Sequence, residues 1–144
     1  KAGQAIDRVG VMLSLNFPAG PELEKLSEKS NAVFKIKPSM KNTDCSLSGV
    51  ENKCKKMLTE NYEKSDIALF CIDSVIAALD GMYKALMPKY GALPVVFSGG
   101  VTSNKRIKNY FHDKYNAIFA EPAFSADNAA GTAVLSSIMY DRRK

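Results

Sequence analysis

The chain has 144 residues, 46% of them apolar, and a formal net charge of +5. That length suits one domain with a respectable core, and no run approaches the ~20 consecutive apolar residues that a membrane-spanning helix needs. The charge permits a polyanionic partner such as RNA or a nucleotide without demanding one.

Lys1-Ala2-Gly3-Gln4 has no apolar stretch behind it of the kind a signal peptide carries, and it reads as a start within a helix, as in a fragment. From Gln4 to Leu13, Ile6, Val9 and Leu13 recur at helical spacing, with Asp7 off that stripe beside Gly3 and Gly10. Asn16-Phe17-Pro18-Ala19-Gly20-Pro21 breaks the helix, and Glu22 to Ser27 forms the next, with Pro21 suited to its first turn. Val33 to Lys37 alternates apolar and charged residues, which predicts a half-buried strand ended by Pro38. A turn over Lys41 to Asp44 and a returning strand over Cys45 to Gly49 complete a β-hairpin insertion over about 32–49.

Val50 to Tyr62 predicts a helix with Val50, Cys54, Met57 and Leu58 on one face and lysines on the other. Ser65-Asp66 reads as the N-cap pair of a helix from Ile67 to Leu86, apolar over most of its circumference and ended by Pro88 and Gly91. Leu93 to Phe97 predicts a strand covered on both faces. Ser98-Gly99-Gly100, a helix from Ser103 to Phe111, a strand over Ala117 to Phe119 and a helix from Asp127 to about Tyr140 follow. This order predicts an α/β unit with neighbouring parallel strands. Nothing resembling a linker or an internal repeat divides the chain, so residues 1–144 read as a single domain.

Chemistry has few places to sit. The three cysteines, Cys45, Cys54 and Cys71, form no Cys-x-x-Cys pair, which points to free thiols in a reducing cytosol. The single histidine, His112, lies amid Tyr110, Phe111 and Asp113 and reads as helix-end packing; alone it excludes a His-Glu-x-x-His protease motif within these residues. Ser98-Gly99-Gly100 is the richest feature. Paired glycines between a strand and a helix let backbone N–H groups approach a phosphate; the bland alternative, a tight turn using positive φ, is the commoner use of such a pair. Asn104 can reach a ribose or base, or simply sit on a helix surface. Asp127 caps the last helix or ligates a metal, and a metal needs further ligands. Asp7 and Glu24 flank the proline turn, where Gly20 permits close approach; as carboxylates they suit ribose hydroxyls, against the alternative of exposed helix charges.

Four segments, in order, resemble one family. Asp7-Arg8-Val9 with Leu13 through Leu26 is similar to the Asp-Lys-Val…Leu-Gly-Leu-x-Tyr-Pro-Gly-Gly-Pro segment of the glycoprotease family, which makes tRNA threonylcarbamoyladenosine. Cys45-Ser46-Leu47-Ser48-Gly49 resembles its Phe-Ser-Phe-Ser-Gly stretch, Ser98 through Asn104 its Gly-Gly-Val-x-x-Asn motif, and Asp127-Asn128-Ala129-Ala130 its Asp-Asn-(Ala/Gly)-Ala-Met motif. Departures are Gln4 for Glu, Ala19 for a turn glycine, Gly131 for Met, and Glu51-Asn52 for Lys-Thr.

The resemblance implies the C-terminal lobe of an actin-like ATPase fold (ribonuclease H-like, helix-rich, with a short partly parallel sheet), whose partner is an N-terminal lobe absent from these residues. It implies transfer of threonylcarbamoyl from its adenylate to an adenosine amine of tRNA, in the cytoplasm and away from membranes. Asp7, Gly20, Glu24, Gly99, Gly100 and Asn104 would contact ATP or threonylcarbamoyl-adenylate. Asp127 would ligate a divalent metal (iron, zinc or magnesium) with histidines from the other lobe. By itself the chain is then expected to be inactive and to hold no metal tightly. The older label of O-sialoglycoprotein endopeptidase finds no support. Two other readings are a non-catalytic paralogue that assembles with a homologous actin-like partner, and another actin-like ATPase or sugar kinase.

Overall fold

The computed structural model describes residues 1–121 and Ile138. Its contacts group the chain into two compact units, Lys1–Leu93 and Pro94–Lys144.

The first unit is helical with one hairpin. Helix α1 (Ala2–Met12) and α2 (Gly20–Ser27) follow the predicted stripes, and Val9, Leu13 and Leu23 are fully buried. Pro21 sits in the first turn of α2, where its missing N–H has no helical partner to lose. The strand predicted over Val33–Lys37 does not form. That segment is extended, with Phe34 edge-on to Phe70 of the long helix at 5.4 Å, while Val33 stays 92% exposed. Alternation marked the buried face correctly, but among the described residues no strand pairs with this segment. Pairing instead begins after Pro38, where β1 (Ser39–Lys41) and β2 (Asp44–Ser46) run antiparallel with Met40 opposite Cys45. The returning strand therefore stops earlier than predicted, because Ser48 already starts α3 (Ser48–Thr59).

The long helix α4 (Lys64–Tyr90) has ten buried residues, among them Ile67, Cys71, Ile72 and Val75, and it packs against α1, α2, α3 and the hairpin. Each fully buried aliphatic of this kind stabilises the fold by about 1.5–3 kcal/mol. Two boundary expectations change. Glu63 occupies the N-cap, so Ser65 and Asp66 fall within the first turn, and Asp66 instead accepts a hydrogen bond from the Ser30 hydroxyl. Pro88 lies inside the helix rather than ending it, since its fixed φ suits the helix and only one hydrogen bond is forfeited. Gly91, at φ 75°, makes the stop.

In the second unit, β3 (Val96–Phe97) pairs in parallel with β4 (Ile118–Phe119) through α5 (Lys105–Tyr115), as predicted. Phe97 stacks on Phe119 at 5.2 Å and meets the fully buried Phe111 of α5 at 4.8 Å. Among the described residues, coverage on both faces is not observed: Val96 is 66% exposed, because side chains alternate across a strand and α5 covers only the Phe97 face. The predicted helix from Asp127 lies outside the described residues. Among the described residues, no helix is long and apolar enough to cross a membrane.

Candidate nucleotide-binding residues

In the first unit the proline turn is fastened to α1. Asp7, half-buried on that helix, accepts a hydrogen bond through Oδ1 from the Ala19 backbone N–H at 3.1 Å. Ala19 is fully buried against Gly10, where an added Cβ would lie only 2.1 Å from the Ala19 Cβ. The glycine in α1 is thus what lets the turn approach. Gly20 opens α2, and Glu24 lies one helical turn on, so both share a face. Gly20 has no positive φ, and a Cβ there would meet nothing within 4 Å among the described residues.

Two residues that organise this turn escaped the sequence reading. Glu22 accepts from the Asn16 backbone N–H at 3.0 Å and from the Asn16 side-chain amide at 2.9 Å. Those two bonds, the side-chain one first, hold its carboxyl below the usual range, with Lys25 assisting and desolvation opposing. The available signal was a glutamate at the third position of a helix, the place from which it reaches back to the preceding chain. Lys64 adds a further tie, donating from Nζ to the Leu13 carbonyl at 3.0 Å.

In the second unit, Gly99 follows β3 with φ 109°, a conformation that side chains rarely tolerate. The helix, expected from Ser103, begins two residues later at Lys105. A 3-10 turn (Gly100–Ser103) intervenes, and the Thr102 hydroxyl and N–H both donate to the Gly99 carbonyl. Asn104 is the N-cap of α5, accepting from the Ile107 N–H through Oδ1 at 3.1 Å. That bond occupies Oδ1 and does not engage the side-chain amide hydrogens. Gly100 differs from Gly99: it has no positive φ, and a Cβ there would find open space among the described residues.

His112 is not packed at the helix end. Its side chain is 68% exposed and contacts Asp113 at 3.3 Å, since the inward face of α5 is taken by Ile107 and Phe111. Asp127 lies outside the described residues. Among those described, no three His, Cys, Asp or Glu side chains gather as metal ligands.

A family model described as "tRNA N6-adenosine threonylcarbamoyltransferase" (TsaD) matches residues 1–134. The chain belongs to this family. Curated relatives of that name agree: one from Kosmotoga olearia is 29% identical over 99% of this chain and 46% of its own length. One from Buchnera aphidicola is 32% identical over 96% of this chain and 45% of its own, and one from Thermococcus sibiricus is 32% identical over 74% and 33%. The chain spans about half the length, or less, of these TsaD relatives.

Proposed function

We propose that this chain is the C-terminal, nucleotide-contacting lobe of a threonylcarbamoyltransferase whose whole length acts on tRNA in the cytoplasm. In this reading the adenosine amine attacks the carbonyl of threonylcarbamoyl-adenylate, a carbon–nitrogen bond forms, and the nucleotide phosphate leaves. The residues of this chain bind and orient the adenylate. Asp7 and Glu24 accept from ribose hydroxyls, Gly20 and Gly100 admit the ligand against the backbone, and Asn104 donates through its amide. A divalent metal would draw Asp127 and histidines of the N-terminal lobe as ligands, and would supply Lewis-acid charge when bound. The chain alone is inactive in this reading, because Asp127 is its one metal ligand and the histidines lie in the N-terminal lobe.

The observation that carries the proposal is the pair of glycines, Gly20 and Gly100, that neither backbone conformation nor a described neighbour requires. The test is titration calorimetry of the full-length protein with ATP. Gly100→Val should weaken binding more than Asn104→Ala, because a branched side chain blocks approach whereas one hydrogen bond is worth about 0.5–1.5 kcal/mol. Lys105→Ala should matter less than either. Equal affinity in the parent and Gly100→Val would reduce the glycine turn to a turn and remove the nucleotide assignment.

A second reading, assembly without turnover, is favoured by Glu51. Where the family carries lysine, this glutamate pairs with Arg8 at 3.1 Å on the surface. Threonylcarbamoyl transfer by the full-length protein would exclude that reading.

A further inference from the structure

The nucleotide assignment leaves unused a cleft of about 240 Å³ bordered by the hairpin, α3 and α4. Its charged and hydroxyl groups include Lys37, Ser39, Ser46, Ser48 and Lys53, and no carboxylate lines it among the described residues. The other cleft against the hairpin does not share that bias. The neighbouring cleft of about 300 Å³ contains both Arg8 and Glu51, which neutralise each other. Lys56 and Lys84 are likewise paired, with Glu60 and Asp80, whereas Lys37 and Lys53 form no ion pair with a described residue.

The hydroxyls add donors of the right kind. Ser46 and Ser48 are joined at 2.9 Å, so one hydroxyl hydrogen serves the pair and the other remains for a ligand. Gly49, also on the lining, has no positive φ, and a Cβ there would meet nothing within 4 Å among the described residues, which leaves the mouth open. Among the described residues, no aromatic ring lines the cleft on which a base could stack. The group that fits ammonium and hydroxyl donors without base-reading surface is a phosphodiester, whose contacts position a nucleic acid without reading its sequence.

We infer that this cleft holds a backbone phosphate of the RNA substrate, gripped by Lys37 and Lys53 and oriented by the serine hydroxyls. The inference rests on the reading that the full-length protein acts on tRNA, but not on the nucleotide-contact assignments.

The experiment measures tRNA binding to the full-length protein by fluorescence anisotropy across a salt series. Lys37→Ala and Lys53→Ala should each weaken binding and lower the slope of log affinity against log salt, and the double variant should lower it by about 1, the share of one phosphate. Lys55→Ala, on the same helix but outside the cleft, should keep the parent slope, and Lys53→Arg should restore it. ATP affinity, measured on the same samples, should not change. Cleft variants no different from Lys55→Ala, absence of tRNA binding by the parent, or parallel loss of ATP affinity would overturn the inference. A parent that shows the slope effect but binds no ATP would leave the cleft standing and remove the nucleotide assignment.

Discussion

Gly10→Ala tests how the proline turn is held. A Cβ at position 10 would stand 2.1 Å from the Ala19 Cβ, whereas unbonded carbons settle near 3.5–4.0 Å. The turn must therefore retreat by about 1.5–2 Å. The Asp7–Ala19 hydrogen bond, 3.1 Å long, does not survive that retreat. Overpacking costs about 1–3 kcal/mol and the loss of a charge-assisted bond about 1.5–3, the latter reduced here because Asp7 is half exposed. Replacing a helical glycine returns only about 0.5–1 kcal/mol. We expect a net loss of roughly 2 kcal/mol, a fall in melting temperature of about 4–8 °C, and weaker ATP binding. The informative variant is the double one. With Ala19→Gly added, the new Cβ has its nearest neighbours at 3.5 Å (the position-19 Cα) and 3.9 Å (the Leu15 Cβ), ordinary contacts. Gly10→Ala/Ala19→Gly should recover to within about 1 kcal/mol of the parent, a strong departure from additivity. Thermal unfolding of the full-length protein and its three variants decides the matter. Unchanged stability in Gly10→Ala, or simple additivity in the double variant, would refute the packing argument.

Gly99→Ala should cost about 1–2 kcal/mol of stability because φ at that position is 109°, whereas Gly100→Ala should leave the melting temperature alone and still reduce ATP affinity. Asn104→Ala should lose the cap, about 1 kcal/mol, while Asn104→Asp keeps the cap and removes the amide donors. Melting and ATP titration of those two variants separate capping from ligand contact. Because the Glu22 carboxyl is held below 4.5 when folded, its stabilisation is full above that value and fades as pH falls through the folded pKa. Glu22→Gln should flatten this acid-side dependence, measured as melting temperature from pH 5 down to about 3.

Helices were the legible part of this chain. The Ile6–Val9–Leu13 stripe and the apolar girth of α4 are properties of the helix itself, and each formed where periodicity placed it. Parallel pairing of β3 with β4 was legible from their order around α5. The Val33–Lys37 strand failed because alternation reports which face is buried, whereas a strand also needs a partner ladder that sequence does not supply. Among the proposed site residues, Asp7 and Asn104 were singled out by motif. Their local bonds, to the Ala19 N–H and the Ile107 N–H, were not, because each depends on how a turn closes. Gly99 and Gly100 are the same letter in sequence; only the backbone separates the glycine that the turn requires from the one it does not.

The proline turn is tied by Asp7 at Ala19, by Glu22 at Asn16 and, where α1 ends, by Lys64 at Leu13, all within the first unit. Ordering a residue's backbone costs on the order of 1–2 kcal/mol, and here that cost falls on folding. Under the proposed assignment, a ligand settling on Gly20 would meet a preorganised rim and surrender only its own freedom. Loosening any of the three ties would shift part of the ordering to the moment of binding, so affinity would fall without the loss of a single ligand contact.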